Sequence, residues 1–202
     1  MKPEEALRIA AHQRQRFNQL VETFDVAQPD AVIDRLRQIV AAAELQTGDV
    51  VLDVGTGVGV LIPLIESYCP SVILACDLSE RMLARLHQKH AHVRAMQADI
   101  VGTPLAPASV AVIFMNAMFG NIADKPAACR EAARVLRPGG RLVVSHPEGR
   151  EFVARLRTNT DLFIEPLPTR EEFEHLAAGL SFEVTAYRDE PKLYLLVAQK
   201  NL

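Results

Sequence analysis

The segment VVLDVGTGVGVL, residues 50–61, decides which fold the sequence predicts. An apolar, largely β-branched run leads into glycines at 55, 57 and 59, and an aspartate stands at position 53. Glycine allows the backbone to turn tightly and to approach a ligand closely, so this pattern is typical of a nucleotide-binding turn between a strand and a helix. The alternative is a strand-to-helix turn that serves the fold alone.

Around this segment, short β-branched runs alternate with helical periods. Strands are predicted at 50–54, 72–76, 93–97, 110–115 and 141–145. Helices are predicted at 4–24, from Pro29 towards Gly48, and at 59–68, 79–89 and 124–136, with Ser79 and Asp124 as N-caps and a turn over 137–140. Strands that alternate with helices indicate a doubly wound α/β sheet, mostly parallel, with helices on both faces.

The C-terminal third has a different pattern. A short helix is expected over 148–157, and the capping-box spacing of Thr169 and Glu172 predicts another helix. The runs 181–187 and 193–199 predict an antiparallel hairpin at the sheet edge. We therefore expect one domain over 1–202, with an N-terminal helical cap (1–44), a cofactor-binding core (45–145) and a substrate-side segment with the C-terminal hairpin (146–202).

Composition narrows the function. The chain has 202 residues, 49% of them hydrophobic, and a formal net charge of −3, which argues against unspecific nucleic-acid binding. We expect no stable membrane insertion and no secretory signal, because no apolar run reaches about 18 residues and the first ten residues carry early acids. The three cysteines are scattered, so we expect a reducing, cytoplasmic setting.

The charge at position 53 indicates what kind of ligand the glycine turn holds. Val60 stands where the dinucleotide fingerprint has its third glycine, and Asp53 would face a pyrophosphate. Two like charges about 4 Å apart repel by roughly 1–4 kcal/mol, whereas a helix N-terminus returns only about 0.3–1 kcal/mol for an anion. A phosphate-free ligand with a cationic amine and a sulfonium, as in S-adenosylmethionine, would instead be attracted.

Two further acids follow the next strands. Asp77 is predicted to end the second strand and Asp99 the third. A carboxylate can accept hydrogen bonds from both ribose hydroxyls or from an adenine amino group. Each acid alone could be an exposed strand-end residue, and Asp77 alone also fits an NAD site. Together with Asp53, however, they would lie at the sheet edge where ligands of open α/β folds bind.

Four segments carry a family resemblance: VLDVGTGVG, ACDLSERML, MQADI and EAARVLRPGGRLVVS. By these motifs the chain resembles a class I S-adenosylmethionine-dependent methyltransferase. It is most similar to the small-molecule group that includes the ubiquinone/menaquinone C-methyltransferases (methyltransferase type 11). The resemblance covers roughly residues 30–145 and implies a seven-stranded Rossmann-like sheet, with S-adenosylmethionine as cofactor and S-adenosylhomocysteine as product.

The resemblance also implies site residues. The positions that match the family's cofactor motifs are Asp53, Gly55, Thr56, Gly57, Asp77, Leu78, Met82, Asp99, Ile100 and Asn116. Relatives that methylate nucleic-acid amino groups carry an Asn-Pro-Pro-Tyr type motif after the fourth strand. This chain has Asn-Ala-Met-Phe at 116–119, so we expect a small, partly apolar acceptor and no nucleic acid.

Catalysis by such an enzyme depends mainly on positioning, because the leaving group is already activated. A general base is needed only if the acceptor must lose a proton. Asn116 and His146 are the candidate catalytic residues, and the alternatives are a strand-end turn and a loop histidine. Asn121, Glu148 and Arg150 are further strand-end candidates.

The remaining features leave alternatives open. The first helix could cover the cofactor, and Arg14 interrupts its apolar stripe of Leu7, Ala10, Phe17, Val21 and Phe24. Histidines 87, 90 and 92 lack a completing acid or cysteine nearby in the sequence, so no metal site is predicted. An NAD-dependent oxidoreductase and a non-catalytic cofactor-binding regulatory module remain alternative functions. The sequence does not predict the oligomeric state.

Overall fold

The chain folds around one seven-stranded sheet, described by a computed structural model over residues 2–201. The strand order is β3-β2-β1-β4-β5-β7-β6. Strands β1 to β5 pair in parallel, and β7 pairs antiparallel with both β5 and β6. This pairing confirms the predicted fold class and hairpin. The strands are β1 Val50–Val54, β2 Val72–Asp77, β3 Arg94–Gln97, β4 Val110–Asn116, β5 Leu136–His146, β6 Phe182–Glu190 and β7 Leu193–Lys200.

Eight helices in the described part of the chain connect and cover these strands. They are α1 Pro3–Gln19, α2 Val21–Phe24, α3 Asp30–Ala42, α4 Ile62–Glu66, α5 Glu80–Lys89, α6 Lys125–Val135, α7 Gly149–Thr158 and α8 Arg170–Leu176, with a 3₁₀ turn at Phe119–Asn121. The predicted caps are confirmed, because the side chains of Ser79, Asp124 and Thr169 each accept a backbone N–H of the first turn. Within residues 2–201, no helix combines the length and apolar character needed to span a membrane.

The core lies on both faces of the sheet. Helices α3, α4 and α5 cover one face, and α6, α7 and α8 cover the other. Strand β4 lies in the middle and is buried throughout, with Phe114 on the first face and Met115 on the second. Side chains alternate between the two faces along a strand, so successive residues point to opposite faces. The same alternation gives the face of each residue at a strand end.

The N-terminal helix differs from its prediction. The expected helix over 4–24 is interrupted at Leu20, where φ is −96° and ψ is 6°. Leu7 is 70% exposed, and the face turned inward instead contains Ile9, Ala10, Gln13 and Phe17. Ala10, Phe17 and Val21 of the predicted stripe therefore lie inward, but Leu7 does not, and Gln13 takes the inner position next to Arg14. Arg14, which interrupts the predicted stripe, is exposed on the outer side of the helix.

Two connections also differ from the prediction. The expected turn over 137–140 belongs to the beginning of β5, where Val110 pairs with Leu136 but Val112 already pairs with Arg141. The extra residues form a bulge, so the backbone bends while its strand pairing continues. Helix α4 is shorter than the predicted 59–68, because the glycine turn uses left-handed backbone up to Gly59.

Candidate functional site

Acidic side chains meet at the edge formed by the carboxyl ends of β1, β2, β3 and β4, here called the carboxyl edge. Asp53 is the penultimate residue of β1 and Asp77 the last residue of β2. Asp99 was predicted to end the third strand. Strand β3 ends at Gln97, so Asp99 lies two residues beyond it. Because these three strands are neighbours and parallel, the acids lie side by side.

Asp53 is a buried carboxyl group without a cationic partner among residues 2–201. Its side chain is only 3% exposed, and Thr56 Oγ1 donates a hydrogen bond of 2.7 Å to its Oδ2. Burial raises the pKa of Asp53 to about 7, and the nearby charge of Asp77 acts in the same direction. A cation brought by a ligand would restore the charged form, so the site fits a ligand with a positive group.

Asp77 holds the glycine turn against the end of β2. Its Oδ2 accepts from the Gly57 N–H at 2.9 Å and its Oδ1 from the Ser79 N–H at 2.8 Å. Burial raises the pKa of Asp77 despite these two bonds. Each carboxylate oxygen has a second lone pair, so the group can still accept hydrogen bonds from two ligand hydroxyls.

The glycines of the turn have different roles. A Cβ at Gly55 would lie 2.7 Å from Met118 Cγ, and one at Gly59 would lie 2.5 Å from Leu86 Cδ1. These two glycines allow close packing. Gly57 has a φ of +54°, and a Cβ there would meet nothing within 4 Å. It therefore borders open space beside Asp77, where a ligand can approach the backbone.

Asp99 completes the acidic row. It is half-buried, and its Oδ1 accepts from the Val101 N–H at 3.2 Å. Burial raises its pKa, and the charge of Asp124 adds to the effect. The neighbouring Ile100 side chain is buried in the core, so it can support the site from below.

The N-terminal segment, α1 and α2, lies against the beginning of α5. Asn18 Oδ1 accepts from Ser79 Oγ at 2.6 Å, which ties α1 to the residue that bonds Asp77. Met82 is 2% exposed and packs in a small cluster with Val21 and Val58. Leu78 is half-buried next to Asp77.

The two candidate catalytic residues lie on opposite faces of the sheet. Asn116 pairs with Ser145 across β4 and β5, and its Oδ1 accepts from Ser145 Oγ at 3.0 Å. His146 is the next residue along β5, so it points to the other face, where its ring lies 5.3 Å from that of Phe152. The structure therefore does not bring Asn116 and His146 together.

His146 is held as a neutral ring. Burial lowers the pKa of His146 to about 4, and its Nδ1 accepts from the Glu148 N–H at 3.1 Å. The proton then lies on Nε2, so that nitrogen of the ring is a hydrogen-bond donor. This arrangement does not favour His146 as a general base.

The other strand-end candidates have structural contacts. Arg150 donates to the Leu167 carbonyl and pairs with Asp189, and Glu148 pairs with Arg35 at 2.6 Å. Across the described residues, no group of three or more histidine, cysteine or acidic side chains could hold a metal ion.

Gln13 is the residue of interest that the sequence prediction missed. It is 2% exposed at the middle of the inner face of α1. Its Nε2 donates to the Phe163 carbonyl at 2.7 Å and to the Asn121 carbonyl at 3.4 Å, while its Oε1 is buried without a partner. A polar residue three and four positions from Ile9, Ala10 and Phe17 was the available signal.

Comparisons with known proteins identify the family. The family model described as a methyltransferase domain matches residues 52–144. The ubiquinone/menaquinone biosynthesis C-methyltransferase of Geobacter sulfurreducens is 30% identical over 189 residues, covering 76% of this chain and 72% of the relative. A Mycobacterium tuberculosis protein, named a probable S-adenosylmethionine-dependent methyltransferase, is 36% identical over 121 residues, covering 60% of this chain and 42% of the relative. The chain thus spans less than half the length of that relative.

The fold has solved counterparts. The geranyl diphosphate C-methyltransferase of Streptomyces coelicolor, solved with Mg²⁺, geranyl diphosphate and S-adenosyl-L-homocysteine, superposes with a TM-score of 0.73 at 13% identity. The match covers 96% of this chain and 98% of that one. Since the Geobacter relative is matched over most of its length and the domain model runs from β1 to β5, the chain belongs to the S-adenosylmethionine-dependent methyltransferases.

Proposed function

We propose that this chain transfers a methyl group from S-adenosylmethionine to a small, partly apolar molecule. The observation that carries the proposal is the row of desolvated carboxyl groups at the carboxyl edge. Asp53 is the most informative of them, because its buried carboxyl lacks a cationic partner in residues 2–201. An ammonium group of the cofactor would supply that partner.

The proposed cofactor contacts follow from this placement. Asp53 binds the amine, Asp77 the ribose hydroxyls and Asp99 the adenine amino group. Gly57 offers the open side of the turn, while the other positions support the turn and its surroundings. These supporting positions are Gly55, Thr56, Leu78, Met82 and Ile100.

When bound, the cofactor supplies an activated methyl group on a cationic sulfur. The residues at the end of β4 then have to orient the acceptor and exclude water. Ser145 fixes the amide of Asn116 through Oδ1, which leaves Nδ2 as the donor group of that side chain. His146 lies on the opposite face of the sheet and has no part in this orientation.

Two lines of support favour a small, partly apolar acceptor. Met118, next to Gly55, and Phe163, beside Gln13, provide apolar surface near the end of β4. Among similar proteins, one is named for quinone biosynthesis and another is solved with geranyl diphosphate. The carboxyl of Asp53 disfavours the pyrophosphate of NAD, since the two would carry like charges.

Isothermal titration calorimetry tests the proposal directly. We expect S-adenosylmethionine and S-adenosylhomocysteine to bind with micromolar Kd at pH 7.5, and NADH to leave the heat signal unchanged. A folded protein that binds neither cofactor form below 1 mM would overturn the proposal. Formation of S-adenosylhomocysteine with a panel of hydroxyl, amine and enol acceptors then separates an enzyme from a binding module.

A further inference from the structure

The side-chain amide of Gln13 is satisfied on one side only. Its Nε2 reaches two backbone carbonyls, those of Phe163 and Asn121, whereas its Oε1 is enclosed without a donor. Rotating the amide by 180° would not help, because carbonyl oxygens need an N–H opposite them. The orientation of Gln13 is therefore fixed, and its Oε1 faces a position that lacks a hydrogen-bond donor.

An enclosed oxygen without a donor is unfavourable. Leaving a buried acceptor unpaired loses the hydrogen bond that water would have made in the unfolded chain. An apolar side chain of similar length, such as methionine, would avoid the unpaired oxygen but would remove the bonds that Nε2 donates to the carbonyls of Phe163 and Asn121. The Nε2 bonds explain why position 13 carries a donor but leave its acceptor oxygen unexplained, and a donor that arrives with a ligand would complete it.

The position of Gln13 indicates which ligand supplies the donor. One end of α1 is tied by Asn18 to Ser79, beside the acid proposed for the ribose. Gln13 lies five residues earlier, about 7.5 Å along the helix axis. There it contacts the carbonyl of Asn121, in the turn that follows β4. Gln13 therefore lies towards the acceptor end of the site.

The cofactor's own donor groups already have partners. Its amine, ribose hydroxyls and adenine amino group correspond to Asp53, Asp77 and Asp99. Under the proposed function, the Oε1 of Gln13 remains without a cofactor donor, and the methyl acceptor is the reactant that can supply one. We propose that Gln13 recognises an O–H or N–H group of the methyl acceptor, which makes the acceptor a hydroxyl- or amine-bearing molecule. This inference rests on the proposed methyltransferase function.

The N-terminal segment must move for such a ligand to enter, because Oε1 is closed to solvent. The contacts that hold α1 include the ion pairs of Arg14 with Glu80 and Arg16 with Asp161, whose side chains are 33–56% exposed. Exposed ion pairs of this kind contribute little individually and separate readily. The helix can therefore lift, admit the acceptor and close with Gln13 over it.

The test uses paired probe compounds with the full chain saturated by S-adenosylhomocysteine. The pairs are phenol and anisole, 2-naphthol and 2-methoxynaphthalene, and aniline and N,N-dimethylaniline. Each Kd is measured by ligand-observed NMR for the unmodified chain, for Gln13→Met and for Asp161→Asn. The last variant releases Arg16 and loosens the same helix without touching the amide. Gln13→Asn, which withdraws the amide, is the second variant if Gln13→Met does not fold.

We expect at least one probe that carries an O–H or N–H group to bind tenfold or more tightly than its methylated partner. Gln13→Met should reduce this preference to less than twofold, while Asp161→Asn should keep it. Equal binding, or no binding, of both members of every pair overturns the inference, as does a preference that survives in Gln13→Met. S-adenosylhomocysteine binding is measured first, so its absence would identify a failure of the proposed function instead.

Discussion

Cofactor binding should depend on pH through Asp53. An ammonium ligand favours the ionised carboxyl, but burial raises the pKa of Asp53 from 3.8 to about 7. If only the ionised form binds, the apparent Kd increases by the factor 1 + 10^(pKa − pH). This factor is about 33 at pH 5.5 and about 1.3 at pH 7.5. We therefore predict that S-adenosylhomocysteine binds about 25-fold more tightly at pH 7.5 than at pH 5.5.

Calorimetry can measure both the affinity and the proton that is released. At pH 6.5, about 0.8 proton should leave the protein for each ligand bound, detected in buffers of different ionisation enthalpy. Asp53→Asn should abolish this release and weaken binding at pH 7.5 by at least 100-fold, because the ligand's buried charge loses its partner. Asp34→Asn, at an exposed acid that pairs with Arg37, is the matched control.

The same substitution should stabilise the ligand-free protein. Because the folded-state pKa is raised, Asp53 keeps its proton in the folded protein while the unfolded chain loses it above about pH 4. The free energy of unfolding therefore falls as the pH rises from about 4 to 7 and is level above it. At pH 7.5, Asp53→Asn should recover up to about 4 kcal/mol. A Kd that is constant between pH 5.5 and 7.5, without proton release, would refute the reasoning.

Three further substitutions test the turn and a cap. Gly57→Ala places a methyl group in open space, so we expect a loss of about 1 kcal/mol in stability but at least tenfold weaker S-adenosylhomocysteine binding; unchanged affinity would contradict a ligand at that position. Gly59→Ala should lower the free energy of unfolding, measured in urea, by about 2 kcal/mol or more, because the new Cβ would lie 2.5 Å from Leu86 Cδ1 and φ is +89°. An unchanged free energy of unfolding would argue against this packing. Thr169→Ala should lower stability by about 1 kcal/mol through loss of the capping box, with cofactor affinity unchanged; an unaltered unfolding midpoint would show that the cap contributes nothing.

The sheet and the acidic row could be predicted because their signals are local. Apolar runs with period-two or uniform burial mark the strands, and parallel pairing then places Asp53, Asp77 and Asp99 at one edge. Ser79 and Asp124 were found as caps for the same reason, since a cap depends on residues within one turn. These parts of the fold follow from short stretches of chain.

The relation between distant elements could not be predicted in this way. Whether Asn116 and His146 share a face depends on the register of β4 against β5, which pairs Asn116 with Ser145. The role of Gln13 depends on carbonyls at positions 121 and 163, more than one hundred residues away. The inner face of α1 was predicted only in part, because Ala10 and Phe17 face inward while Leu7, which fits the same apolar period, remains exposed.

The distribution of unsatisfied groups is the strongest structural argument for where this protein acts. Buried acids elsewhere in the fold are neutralised: Asp49 pairs with Arg137 at 2.8 Å, and Glu131 with Arg134 at 2.6 Å. At the carboxyl edge, Asp53 is equally buried yet finds only a neutral hydroxyl. The same fold supplies arginines to its other buried acids. A buried acid that is retained without such a partner is therefore typical of a position where a ligand provides the counter-charge. The unpaired carboxyl thus lowers the stability of the ligand-free protein at this sheet edge. A ligand that offsets this loss has to bring positive charge and hydrogen-bond donors.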